Sequence, residues 1–250
     1  VIRTLFRLNG VRVVKIDKGR KEKRELCREK NKNLIELKST FARYADVFRK
    51  LNLEVDDSFD YFFREARLSS QISIDLGYKE GNWIGIAPFA KHKGKIYPLE
   101  LMENVLEKLS SIKTNKIILI GGGGQEKELL EGWAKKYPNT VSIARKYSIA
   151  DELQIISNLD VLVCMDSANM HFASLVNTPV VSVWGATHPY AGFYGWKQNP
   201  ENAVQIDLNC RPCSVYGNKP CFRKDYACLN RITPELVLNK INTLLNQHVG

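Results

Sequence analysis

The residues of this 250-residue chain that could do chemistry fall in four short stretches. The sharpest runs from Cys164 to Ala173. Asp166 stands there at the passage from an apolar strand to a helix, where its carboxylate can cap the helix. His171 follows five residues later, about one and a half turns in. The first-turn amides of Ser167, Ala168 and Asn169 would then point at any ligand beyond the strand, and such amides favour a diphosphate. A second stretch, Gly121 to Gly124, lets the backbone approach a ligand closely. The third, from Ala90 to Lys95, crowds Lys91, His92, Lys93 and Lys95 into one loop, where a cation could neutralise a phosphate leaving group. The fourth, Trp184 to Gly195, offers hydroxyl and backbone donors in a tight turn around Thr187.

Each stretch also has an ordinary structural reading. An Asp cap with a packed His, a flexible glycine turn and a solvated basic loop would look the same, and the last suits Lys91 and Lys93 better than a functional role does. Familiar motifs fit poorly. No Gly-Lys-Ser/Thr follows the glycines, so they are not a P-loop. Glu126 stands where a dinucleotide fingerprint needs its third Gly. No Gly-x-Ser-x-Gly elbow surrounds Ser167, so a Ser–His–Asp hydrolase is not supported.

The elements that would position these residues alternate regularly. Strands are expected at Trp83–Pro88, 116–121, 140–144, 160–165 and 179–184, and helices at 99–109, 125–136, 149–157 and 168–176. A further strand at 203–208 and a closing helix at 234–245 complete the series. Strands apolar on both faces, alternating with helices, predict an α/β fold with a doubly wound parallel sheet. Ligands of such sheets lie beyond the carboxyl ends of the strands, where all four stretches fall. Before residue 80 the pattern is weaker. It reads as a strand at Val11–Ile16, a charged helix within 20–32, and a helix at 41–53 with Tyr44, Val47, Phe48 and Leu51 on its apolar face. Residues 56–70 read as a connector, which places a domain boundary near residue 80.

Composition narrows the class. With 44% hydrophobic and 26% charged residues, the chain is neither collagenous, coiled-coil nor disordered. No apolar run approaches the ~18 residues of a membrane helix. Residue 1 is Val, and the chain reads as a soluble protein whose natural start lies upstream. The net charge of +10 is not spread evenly, because residues 1–50 hold 16 Lys and Arg against 6 Asp and Glu, and the rest balances. That asymmetry suits one basic face meeting an anionic partner. Cys210, Cys213, Cys221 and Cys228 cluster as C-x2-C-x7-C-x6-C, compatible with structural zinc or with reduced thiols packing a loop.

Together these motifs resemble the glycosyltransferase family 9 heptosyltransferases, which elongate the lipopolysaccharide inner core. The resemblance rests on Lys95–Pro98, the glycine loop leading to Glu126, Asp166–His171, and Trp184–Pro189 with Gly192 and Gly195, and it covers about residues 83–230. It implies a GT-B arrangement of two facing Rossmann-like domains. Residues 1–80 would be the second half of the acceptor domain, and 81–250 the nucleotide-sugar domain. By resemblance, Ala90, Lys95, Gly122, Gly123, Glu126, Asp166, Ser167, Ala168, Asn169, His171 and Thr187 would bind the donor. Lys95 would meet the phosphates, Glu126 the ribose, and Asp166 the diphosphate and sugar; His171 would support its helix. Lys95 and Asp166 would carry catalysis. Lys18, Arg20 and Lys21 would steer an anionic, lipid-linked acceptor.

The resemblance further implies an inverting transfer from ADP-heptose that needs no cofactor and no metal, by a monomer peripheral to the cytoplasmic face of the inner membrane. No Asp-x-Asp pair is present to hold a metal. Two departures stand out: Ala168 replaces a usual Gly, and Ala186 an often-seen Pro. The family's general base precedes the residues seen here, so this chain is expected to be a fragment that binds nucleotide sugar better than it transfers sugar. The rival readings are a non-catalytic nucleotide module whose basic arm meets nucleic acid, and a related transferase using another nucleotide sugar. No nucleic-acid motif supports the first.

Overall fold

The computed structural model describes residues 2–63 and 67–247. Among them, the sheet is built from β1 (Asn82–Ala87), β2 (Asn115–Leu119), β3 (Thr140–Ser142), β4 (Val161–Met165), β5 (Val180–Val183) and β6 (Ala203–Val204). The helices are α1 (Ile2–Leu8), α2 (Arg20–Leu26), α3 (Thr40–Arg49), α4 (Ser70–Leu76), α5 (Leu99–Ser110), α6 (Gln125–Lys136), α7 (Ile149–Ser157), α8 (Ala168–Leu175), α9 (Ala227–Asn230) and α10 (Pro234–Gln247).

Every strand pair is parallel, in the order β3-β2-β1-β4-β5-β6. The expected doubly wound sheet is therefore present. Its strand order reverses between β1 and β4, which opens a crevice at their carboxyl ends. The period-two pleat divides the apolar side chains between two cores. Ile84 and Ile86 of β1 join Met102, Val105 and Leu106 of α5 and Val237 and Ile241 of α10. Trp83 and Ala87 join Ile155 and Ile156 of α7 and Met170 and Ala173 of α8 on the other face. All residues of β4 and β5 are buried, as a sheet covered on both faces requires.

The residues before β1 differ from expectation in three ways. Val11–Ile16 forms no strand: its backbone finds no ladder partner among the described residues, and Val11 is exposed. α3 forms, but Tyr44 and Phe48 of its apolar face are exposed, while Arg43, on the flank of that face one turn before Val47, is buried. The Arg43 guanidinium donates to Glu22 at 2.6 Å and to the Lys38 carbonyl at 3.0 Å, so its burial is satisfied. Finally, α4 arises next to the expected connector, of which residues 64–66 lie outside the described residues. Ser69 caps it by accepting from Ile72 N, and Ile72 and Leu76, one turn apart, enter the second core. A seven-residue helix with one apolar pair leaves too little periodicity to read.

The basic segment docks on the α/β domain chiefly through backbone. Leu37 N donates to Tyr190 O at 2.9 Å and Thr40 N to Gly192 O at 2.8 Å. The Lys32 ammonium donates to the carbonyls of Cys210 and Pro212, both at 2.8 Å. Gly192 must accept this approach without a side chain, since a Cβ would lie 2.6 Å from Lys38 O at φ +79.

Candidate functional site

β1, β2 and β4 deliver their following loops to one edge of the sheet, and a cavity of about 550 Å3 opens there. Phe89, Ala90 and Lys91 follow β1, and a 3-10 turn at Lys93–Lys95 brings Lys95 back over the edge. Ile120, Gly121 and Gly122 follow β2, and Glu126 stands in the first turn of α6. Asp166 follows β4, with Ser167, Ala168, Asn169 and His171 at the start of α8.

At the base of the cavity the Lys95 ammonium lies 2.8 Å from a carboxylate oxygen of Asp166. Their side chains are only 17% and 8% exposed, so water screens this pair weakly. Asp166 therefore does something other than the expected capping. Ser167 is the residue before α8, no side chain caps the helix, and the buried Ser167 hydroxyl has no partner among the described residues. The carboxylate is engaged by Lys95 instead. The first-turn amides of α8 are left free of a side-chain acceptor beside a cation, a setting suited to an oxyanion.

Glu126 bends back over its own helix start, where a carboxylate oxygen accepts from Gly122 N at 2.8 Å. A Cβ on Gly122 would sit 2.9 Å from that oxygen, so the second glycine is what allows the contact. Burial pushes the His171 imidazole below its usual pKa, with Asp166 opposing and Lys95 adding to the shift. His171 is thus held towards its neutral form, with its ring edge-on to Phe41 at 6.5 Å between centroids. Glu152, from the first turn of α7, shares the cavity, and burial raises its carboxyl pKa.

Five of the expected donor or acceptor residues lie outside this cavity. Thr187 is buried away from the cavity, where its carbonyl accepts from Arg211 at 3.0 Å. The same guanidinium donates to Gly185 O and Ile206 O, both at 2.6 Å, and so turns the segment after β5 inward. Gly123 faces Arg145 instead of the cavity. Lys18 and Arg20 line a second cavity, beside α2, without Lys21. Lys91, expected as a solvated lysine, does line the first cavity, while Lys93 rests 5.3 Å from the Tyr226 ring centroid.

Several lining residues gave no advance signal. Phe193, Val215 and Tyr216 reach the cavity only because the chain after β5 folds back across the sheet edge. Phe89 and Phe172 adjoin recognised motifs, and their position next to Ala90 and His171 was the available clue. All six cysteines are free thiols, and burial raises the pKa of Cys228 to about 11. Among the described residues, no group of three or more Cys, His, Asp or Glu is placed to hold a metal ion, so the late cysteines are not gathered as a zinc set. Also among the described residues, no helix is long and apolar enough to cross a membrane.

Comparison with known proteins bears on this arrangement. Residues 20–221 match the family model of glycosyltransferase family 9 (heptosyltransferase). The chain is 25% identical over 140 residues to lipooligosaccharide heptosyltransferase 2 of Campylobacter jejuni, covering 54% of this chain and 43% of that protein. It is 25% identical over 166 residues to lipopolysaccharide heptosyltransferase 1 of Pseudomonas aeruginosa, covering 62% of this chain and 44% of that protein. The chain thus spans less than half the length of these curated relatives. A crystal structure of a family 9 glycosyl transferase from Veillonella parvula superimposes with a TM-score of 0.68 at 18% identity, over 98% of this chain and 65% of that one. The fold is thereby of the GT-B type. With its sheet-edge cavity and the family match over most of its length, the chain belongs to glycosyltransferase family 9.

Proposed function

We propose that this chain supplies the donor-binding part of an inverting heptosyl transfer from ADP-heptose to an anionic inner-core lipopolysaccharide saccharide. The observation that carries the reading is the sheltered Lys95–Asp166 pair beside the uncapped start of α8. Departure of ADP leaves negative charge on a phosphate. A preorganised ammonium and amides aimed at that charge stabilise the transition state more than the already anionic ground-state diphosphate, because negative charge on the leaving oxygen grows during the reaction. In this reading the Lys95 ammonium and the α8 amides take the part of a metal ion, and the transfer is metal-independent. In this reading Asp166 orients Lys95 and accepts from a sugar hydroxyl, and Glu126 accepts from the ribose. Gly122 lets the backbone close on the nucleotide, and His171 braces the start of α8.

Residues 1–80 are read as part of the acceptor domain. The +10 carried by residues 1–50 would draw an anionic, lipid-linked acceptor at the cytoplasmic face of the inner membrane, with the enzyme monomeric and peripheral. The match to the heptosyltransferase family model and to two curated heptosyltransferases supports this choice of sugar.

Calorimetric titration with ADP, UDP and GDP tests the donor assignment. Selective ADP binding that Lys95→Ala weakens is the expected result. Equal affinity for the three nucleotides, or ADP binding indifferent to Lys95→Ala, would overturn it.

A further inference from the structure

Three carboxyl groups line the first cavity, and they are held differently. Asp166 faces the Lys95 ammonium at 2.8 Å, and Glu126 accepts from Gly122 N at 2.8 Å. Glu152 is engaged by neither kind of partner. Among the described residues no group donates to its side chain and no cation comes within ion-pair distance; what acts on the carboxyl is burial, with the more distant charge of Arg145 opposing. Nor does α7 need Glu152 as a cap. Ser148 and Asp151 close that helix start reciprocally, Asp151 N donating to Ser148 Oγ at 3.2 Å and Ser148 N to an Asp151 carboxylate oxygen at 3.3 Å. A half-buried acid is therefore left uncommitted in the cavity wall.

The sheet fixes where along the cavity it stands. With the strand order β3-β2-β1-β4, the edge carries Asp166 after β4, Lys95 after β1, Gly122 and Glu126 after β2, and α7 after β3. A nucleoside diphosphate has its own fixed order, from phosphate through ribose to base. With phosphates at Lys95 and Asp166 and ribose at Glu126, the base falls at the α7 end. Phe89 and Ile120 add apolar surface beside the glycine loop, as the faces of a base require. In an apolar pocket with few polar groups, those groups set which ligand is chosen.

The chemistry of a carboxyl group narrows the choice. The 6-amino group of adenine donates an N–H that a carboxyl oxygen accepts, and the acid form returns a hydrogen bond to the adjacent ring nitrogen. Burial, by raising the carboxyl pKa, favours that form. Guanine and uracil present a carbonyl oxygen at the corresponding position, which would meet Glu152 acceptor to acceptor. We propose that Glu152 is the specificity-determining residue of the nucleotide pocket, accepting from the exocyclic amine of a 6-aminopurine and so selecting it over bases with a carbonyl there. The proposal rests on the donor reading above, which places the nucleotide but assigns no side chain to its base.

Calorimetry with ADP and with purine riboside 5′-diphosphate, which lacks only the 6-amino group, tests this. The unmodified chain should bind ADP about tenfold more tightly than the analogue. Glu152→Ala should weaken ADP about tenfold and leave the analogue unchanged, so that the ratio falls to about one. Glu152→Gln, whose amide carries both an acceptor and a donor, should keep most of the preference for ADP. A merely structural role for Glu152 would instead weaken both ligands equally, and that result overturns the proposal. So does equal binding of the two ligands by the unmodified chain, which decides the matter even if Glu152→Ala fails to fold. ADP binding that depends on Lys95 but shows no 6-amino preference sinks the role of Glu152 and leaves the donor reading standing. Absence of ADP binding overturns both.

Discussion

Two lysines, Lys95 and Lys23, line neighbouring cavities and are held in opposite ways. Lys95 comes from the turn after β1 and is clamped by Asp166 at 2.8 Å. Its charge is partly neutralised before any ligand arrives, and its position is set by the sheet edge. Lys23 comes from a short helix outside the sheet and rests against an aromatic ring, with the nearby Glu22 carboxylate paired to Arg43. The contrast shows two ways in which one chain holds a lysine at a cavity wall. A paired cation is oriented in advance and suits a charge that develops during a reaction.

The largest way to test the paired site is to break the pair. Asp166→Ala leaves Lys95 without its orienting carboxylate, and Lys95→Ala leaves a buried carboxylate alone. Losing a charge-assisted hydrogen bond costs about 1.5–3 kcal/mol, so Lys95→Ala should lower ADP affinity by up to about a hundredfold in titration calorimetry. If Lys95→Ala and Lys23→Met weakened ADP equally, the distinction between the two lysines would fall.

A somewhat smaller effect is expected where the basic segment meets the domain. His188 is buried, its Nδ1 accepts from Tyr190 N at 3.1 Å, and burial with the nearby Arg211 holds its pKa down to about 4. The folded state thus binds this proton less readily than the unfolded one. Stability from neutral His188 is complete above about pH 6.5 and is lost as pH falls towards 4. Chemical denaturation between pH 7 and 4 should show a loss on the order of 2–3 kcal/mol, and His188→Gln should flatten that slope. An unchanged slope in the variant would mean that other groups drive the acid response.

Smaller again is Gly122→Ala. The added methyl meets the Glu126 oxygen at 2.9 Å and should displace that carboxylate, weakening ADP binding about tenfold while leaving the melting temperature within a few degrees. The smallest effect belongs to the outer face of α3. Tyr44→Ser and Phe48→Ser remove side chains that are 57% and 47% exposed, so stability should change by no more than about 0.5 kcal/mol. A large loss from either would show that this face is covered in solution.

Much of the architecture was legible because parallel strands buried on both faces leave unbroken apolar runs such as Val161–Met165. The glycine run, Lys95, Glu126 and the Asp166–His171 stretch fell on strand ends, and strand ends share one edge in this topology. The amino-acid order therefore determined the sheet, the shared strand-end edge and most of the residues that line its cavity through short-range periodicity alone. What it left open depends on contacts between residues distant in the chain. Asp166 had the spacing of a helix cap, yet a lysine 71 positions earlier in the chain takes its carboxylate. Thr187 had the placement of a phosphate donor, yet Arg211 draws its backbone inward. The apolar face of α3 looked like core, yet Arg43 on its flank is the residue that is buried, with its guanidinium hydrogen-bonded. Local pattern sets which elements form and which edge they share. Only the tertiary structure decides which charge meets which, because pairing energies depend on distance and burial that spacing along the chain does not encode.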